Sequence, residues 1–190
     1  MKQAKVLNSD EFLRTISVCS FMRHSTRNRM AIMLSHYAGL RVGEISSLMV
    51  GDALDRHHEV REQILLRASV TKSKEARTVF VNGILREELA AYAATLEGPR
   101  RDAAGPLLTT QLGTAFTPNT LCQLFGRIYA KAGIDGASSH SGRRWFITRL
   151  AHSGVSPKVI MTLAGHKNLT TTQRYIDVND EMMRAAVRLL

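Results

Sequence analysis

A chain of 190 residues, 44% hydrophobic and 22% charged, is long enough to bury a core and too apolar to remain disordered. Its formal net charge of +10 makes a polyanion the first partner to expect. No apolar run approaches the ~20 residues of a membrane span, no signal-peptide core opens the chain, and two distant cysteines, Cys19 and Cys122, exclude a disulfide framework, so a reducing, intracellular setting is expected.

In chain order, Asn8 and Glu11 stand in capping-box spacing and open a helix over 8–23, with Phe12, Ile16 and Cys19 on one face. A second helix over 27–38 carries Met30, Met33, Leu34 and Tyr37 as a core stripe. Gly39 stops it, since glycine tolerates a left-handed backbone. Arg41 follows at a turn into a short helix with Ile45, Leu48 and Met49 inward, beside backbone N–H groups that favour an anion. Over 62–82 the period changes to two. Leu66, Ala68 and Val70 alternate with Arg67 and Ser69, and Val79 and Val81 flank Phe80, which predicts two strands about a polar, basic turn at 71–77. A lysine at such a tip is usually a solvated charge or an edge guard.

A helix over 83–96 and an exposed loop over 98–106 come next. Thr117 and Pro118 supply the N-cap and first-turn proline of a helix whose inward stripe is Leu121, Leu124, Phe125, Ile128 and Ala132, and Gly133 ends it. The helix bearing Arg143 also bears Trp145, Phe146, Ile147 and Leu150, with the tryptophan expected in the core. Ser156 and Pro157 start another, with Ile160 and Leu163 inward; Gly165 ends it and presents His166 at the exit. Thr170 is expected to cap a short helix bearing Tyr175. Asn179, Asp180 and Glu181 then open a terminal helix that is apolar almost all round, Arg184 and Arg188 apart. Such a helix folds back on its own domain or docks into a neighbouring subunit.

Between Gly136 and Ile176 there is no acidic residue, while Arg143, Arg144, Arg149, Lys158, Lys167 and Arg174 are basic. Two histidines, an arginine and a tyrosine in that field suggest a pocket for a phosphate, because a guanidinium fork matches phosphate oxygens and a phenol can act as a nucleophile.

Taken together, residues 38–45 (Ala-Gly-Leu-Arg-Val-Gly-Glu-Ile), Lys72, His140-x-x-Arg143, Leu163-Ala-Gly-His166 and Tyr175 resemble the catalytic domain of the tyrosine recombinases, the phage integrase family, in order and spacing from about Leu7 to Tyr175. The resemblance implies an α+β, mainly α-helical fold, with a small antiparallel sheet or hairpin at about 57–82 packed on a helical core. It implies a site-specific DNA recombinase in which Tyr175 attacks a phosphodiester and forms a 3′-phosphotyrosine. Arg41 and Arg143 would hold the non-bridging oxygens, Lys72 would protonate the leaving 5′-oxygen, His140 would assist the tyrosine and His166 would donate to the phosphate. Lys72 is preferred to Lys74 for its interval to Arg77, and Glu44 matches the acidic residue that buttresses the first arginine. Lys74, Arg77, Arg144, Lys167 and Arg174 are further candidates for DNA contact. No metal or other cofactor is implied.

The implied partners are double-stranded DNA with paired sites, further copies in a tetramer on that DNA, and an accessory DNA-binding protein, in a bacterial or phage-encoded, nucleoid-associated setting without membrane contact. Integration, excision and inversion are all compatible. A non-catalytic DNA-binding protein of the same fold and a type IB topoisomerase-like nicking-closing enzyme are the alternatives. Two departures stand out. Family members commonly have leucine and histidine or arginine around the second arginine, whereas here Gly142 precedes it and Arg144 follows. Few residues precede the first helix, so a single domain over 1–190 is expected, similar to short, catalytic-domain-only invertases and minimal integrases, with 179–190 exchanged between protomers.

Overall fold

The structure, a computed structural model, describes residues 3–71, 75–176, 183, 184, 187 and 188. Helix α1 (Ser9–Ser20) opens on the predicted capping box: Glu11 N–H donates to the Asn8 side chain at 2.9 Å and Asn8 N–H returns to the Glu11 carboxylate at 3.1 Å. Helix α2 (Ser25–Tyr37) is the axle of the fold. Of its predicted stripe Met30, Met33 and Leu34 are in the core and Tyr37 is half-buried against it, yet Ala31, Ile32, Asn28, Ser35 and His36 are buried as well, so neighbours enclose most of its circumference. Each large aliphatic side chain so buried contributes ~1.5–3 kcal/mol relative to exposure.

Gly39, at φ 61°, turns the chain out of α2 and towards α3 (Val42–Ser46) and α4 (Val50–Ala53). Strands β1 (Gln63–Leu66) and β2 (Arg77–Phe80) pair antiparallel, with Ile64 opposite Val79 and Leu66 opposite Arg77. Ile64, Leu66 and Val79 face the core, whereas Leu65 and Phe80 face outward. The first strand is shorter than its alternation suggests: Ala68–Val70 form a 3-10 turn. The Thr71 hydroxyl closes that turn, donating to a carbonyl from Ala68 at 3.2 Å or Glu75 at 2.8 Å. Lys72 and Lys74 lie outside the described residues.

Helices α5 (Gly83–Ala93) and α6 (Pro118–Lys131) close the main core with Leu85, Leu89, Leu121, Leu124, Phe125 and Ile128. Helix α7 (Ser141–His152) crosses α2 at close range. A Cβ on Gly142 would stand 2.4 Å from Ser35 Oγ and 2.6 Å from His36 Nδ1, so glycine is what admits this approach. The departure noted at Gly142 therefore seats Arg143 against α2. Trp145 is half-buried in a cluster of rings with Phe12, His36 and Tyr37.

Helices α8 (Pro157–Ala164) and α9 (Leu169–Gln173) carry the last described elements. Ile147, Ala151, Ile160 and Ala164 form a second, smaller core between α7 and α8. Leu163, expected inward, is only half-buried, and Ala164 takes the buried position. Asn168, rather than Thr170, holds the N-cap position of α9, and Tyr175 sits in the turn after that helix rather than within it. The predicted terminal helix falls largely outside the described residues; of it, Met183 and Val187 are exposed. No helix among the described residues is long and apolar enough to cross a membrane.

Candidate active site at the end of helix α8

Helix α8 ends in a Schellman motif, in which His166 N–H donates to Met161 O and Gly165 N–H to Thr162 O, both at 3.0 Å, with Gly165 at φ 61°. The last carbonyls of the turn, those of Leu163, Ala164 and Gly165, then lack a donor from their own helix. Each receives a different arginine. Arg77 Nη1 donates to Leu163 O at 2.8 Å, Arg143 Nη2 to Ala164 O at 2.5 Å and Arg41 Nη2 to Gly165 O at 3.3 Å. Three consecutive peptide oxygens thus gather guanidiniums from β2, α7 and the turn before α3. The partial negative charge of a helix C-terminus favours cations at this point.

Glu44 completes the cluster. At 1% exposure it accepts from Arg41 N–H at 2.8 Å, Arg41 Nη1 at 3.0 Å and Arg77 Nη2 at 2.9 Å. Burial would raise its pKa, but the Arg77 charge, the Arg41 N–H and the Arg41 charge outweigh that and hold it below the usual carboxylate range. Arg143, 4% exposed, also donates to Gly39 O at 2.7 Å. Burial, then the neighbouring Arg41 charge, pushes its pKa down to about 9, which leaves it cationic at neutral pH. Three arginines against one carboxylate leave the cluster with net positive charge. Each guanidinium has five N–H donors, so among the described residues Arg41 and Arg143 retain donors for an anion beyond those given to carbonyls and Glu44.

His166 leaves α8 directly above this cluster. Burial first, then the charges of Arg143, Arg41 and Arg77, lowers its pKa to about 4, so it is neutral at physiological pH. Its Nδ1 lies 2.9 Å from Thr172 Oγ1. The Tyr175 ring stacks on it with centroids 5.9 Å apart and planes at 23°. On its other side Tyr175 meets Arg144, whose guanidinium carbon is 5.5 Å from the ring centroid, within range of a cation–π contact. A cavity of about 450 Å³ opens beside the phenol and is lined by His140, Arg144, Arg174 and Tyr175 among others. His140 occupies the N-cap position of α7 and is exposed.

Residues 5–182 match the description of the phage integrase family. The chain belongs to that family. Among its relatives, the tyrosine recombinase XerA of Thermococcus kodakarensis is 32% identical over 186 residues, which cover 96% of this chain and 61% of the relative. The chain thus spans about six-tenths of the length of this curated relative. The crystal structure of XerA recombinase superposes with a TM-score of 0.74 at 24% identity, covering all of this chain and 64% of that one. The Tn1549 transposon integrase in complex with a circular intermediate DNA gives 0.77 at 22% identity, covering all of this chain and 67% of that one. These likenesses agree with the mainly helical α+β fold and its small antiparallel sheet.

Of the residues singled out in this integrase-family sequence, Arg41, Glu44, Arg143, His166 and Tyr175 come together, and His140, Arg144 and Arg174 line the adjoining cavity. Lys167 is exposed on the rim of a second cavity of about 230 Å³, shared with Arg77, Gly165 and His166. The Arg77 side chain is 9% exposed, paired with Glu44 and the Leu163 carbonyl, and packed so closely on Gly165 that a Cβ there would lie 2.6 Å from Arg77 Cδ. Thr172 was not foreseen, because nothing in a run of three threonines distinguishes the one that faces the histidine.

Proposed function

We propose that this chain carries the catalytic site of a site-specific DNA recombinase, acting through a 3′-phosphotyrosine. The observation that carries the reading is the convergence of Arg41 and Arg143 on adjacent carbonyls of α8, with His166 above them and Tyr175 stacked on His166. A DNA phosphodiester seated there meets Arg41 and His166 first and the charge of Arg143 from beneath, in a poorly screened setting that strengthens each contact. The phenolic oxygen of Tyr175 forms the new P–O bond while the bond to the 5′-oxygen breaks. His140 accepts the phenolic proton, and Lys72 gives one to the departing 5′-oxygen. Glu44 and Arg77 hold Arg41 and the end of α8 in place. Lys74, Arg144, Lys167 and Arg174 contact the flanking backbone, and Arg144 also steadies the phenol ring.

Because the energy of the broken bond is kept in the phosphotyrosine, a foreign 5′-hydroxyl can reverse the step, so strands exchange without a nucleotide cofactor. Paired sites, a tetramer on DNA and exchange of the segment 179–190 between protomers complete the proposal, which is supported by likeness to a tyrosine recombinase and to a DNA-bound transposon integrase.

The test is covalent trapping. A pool of nicked suicide duplexes, randomised around the nick, is incubated with the protein and resolved under denaturing conditions. A protein–DNA adduct is expected with the parent and none with Tyr175→Phe, at similar DNA affinity for both. An adduct that persists in Tyr175→Phe, or a parent that binds DNA yet never forms one, would refute the assignment.

A further inference from the structure

We propose that Thr172 is a positioning residue that donates its hydroxyl hydrogen to His166 Nδ1, thereby fixing the imidazole as the Nε2–H tautomer and giving the site one defined donor for phosphate. The proposal rests on the phosphoryl-transfer reading above, and it starts from a buried hydroxyl. Thr172 has 0% exposure, and Oγ1 is 2.9 Å from His166 Nδ1, which is its hydrogen-bond partner among the described residues. A hydroxyl and a neutral ring nitrogen can share a hydrogen in two ways. If Nδ1–H donated to Thr172, the threonine would strand its own hydrogen in the interior, an omission that costs about 1–3 kcal/mol. Donation from Thr172 to Nδ1 strands nothing, so Nε2 carries the hydrogen.

The setting makes this choice matter. With its pKa held at about 4 by burial and three nearby guanidiniums, His166 is neutral at physiological pH, and its tautomer alone decides whether its outer nitrogen donates or accepts. An Nε2 that accepted would face phosphate oxygens, which also only accept. The two partners are tied through the backbone as well: His166 N–H is locked by the Schellman motif, and Thr172 O accepts Tyr175 N–H at 3.0 Å. Thr172 therefore links the orientation of the histidine to the turn that carries the nucleophile.

The test uses the full chain labelled with ¹⁵N-histidine at pH 7, with His166 assigned by its loss in His166→Asn. The parent is expected to show a protonated Nε2 and a bare Nδ1 displaced by its hydrogen bond. Thr172→Val should return the Nδ1 resonance to its unbonded position and admit some Nδ1–H form, and Thr172→Ser should restore the parent spectrum. A protonated Nδ1 in the parent, or an unmoved Nδ1 in Thr172→Val, overturns the proposal. Should the valine variant not fold, the parent and serine spectra still decide. On a nicked duplex, adduct formation should slow roughly tenfold in Thr172→Val at unchanged DNA affinity, about the worth of one hydrogen bond, and recover in Thr172→Ser; equal rates in all three also overturn it. A parent that forms no adduct defeats the phosphoryl-transfer reading, while the spectra still settle the hydrogen bond.

Discussion

Replacing Glu44 with glutamine keeps the shape of a side chain that is 1% exposed and removes its charge. In the parent, one carboxylate oxygen serves Arg41 Nη1, and the other serves both Arg41 N–H and Arg77 Nη2. A glutamine has one acceptor oxygen, so its NH₂ must face either Arg41 or Arg77, donor against donor. Removing one partner of a buried ion pair typically costs about 3–5 kcal/mol. The Arg77 arm, 9% exposed, carries close to that cost, whereas the Arg41 arm, 23% exposed, is discounted by solvent. A loss of about 3 kcal/mol follows, and for a chain this long it shifts the urea midpoint by roughly 1 M. The single tryptophan, Trp145, reports the transition from α7. The pH dependence adds a sign. Glu44 is held below its ordinary 4.5, so under acid the unfolded chain binds this proton first. The stabilisation is present above about 4.5 and is lost as pH falls through the folded value. Glu44→Gln should therefore flatten the acid limb of the stability profile. A midpoint shift below about 0.3 M at pH 7 would refute the reasoning.

His36, fully buried with a pKa lowered to about 4 by desolvation, works in the opposite sense to a paired histidine. The unfolded chain takes up its proton near 6.5, so His36 alone should lower stability by about 1.6 kcal/mol between pH 6.5 and pH 5, and His36→Gln should remove that share of the drop in urea titrations at the two pH values. Gly142→Ala would push a methyl to within 2.4 Å of Ser35 Oγ, prise α7 from α2 and destabilise by about 1–3 kcal/mol. Because Arg143 is the next residue, adduct formation on a nicked duplex should fall further than the stability loss accounts for. Arg143→Ala should abolish the adduct and weaken DNA binding in a mobility-shift titration; an active Arg143→Ala would remove the guanidinium from the site.

Much of this was legible because it is written locally. The caps at Asn8 and Thr117, the stop at Gly39 and the stripe of α6 depend on neighbours within a turn or two, and a single sequence carries that information. What escaped depends on partners far along the chain. Arg77 reads as one more basic residue near a hairpin tip, and its inward turn is decided by Glu44 and Leu163, 33 and 86 positions away. The burial of Ser35 and His36 on the polar side of α2 follows from the arrival of Gly142, which no helical period announces. The strand predicted through Val70 gave way to a turn closed by the Thr71 hydroxyl, a side-chain contact that alternation does not encode. Tyr175 was expected on a helix and sits beyond one, because short capping motifs fix where a helix starts more firmly than where it stops.

The three peptide oxygens at the end of α8 also bear on how the protein fails. The apolar face of their helix packs in the small Ile147–Ala164 cluster rather than in the main core. Slippage of that one helix by a single residue would cast off every guanidinium at once, because each oxygen accepts from an arginine on a different segment of the chain. The proposed adduct formation should accordingly vanish in one step under mild heat or denaturant, before the main core unfolds, and a ligand that wedges this corner would block it without unfolding the chain.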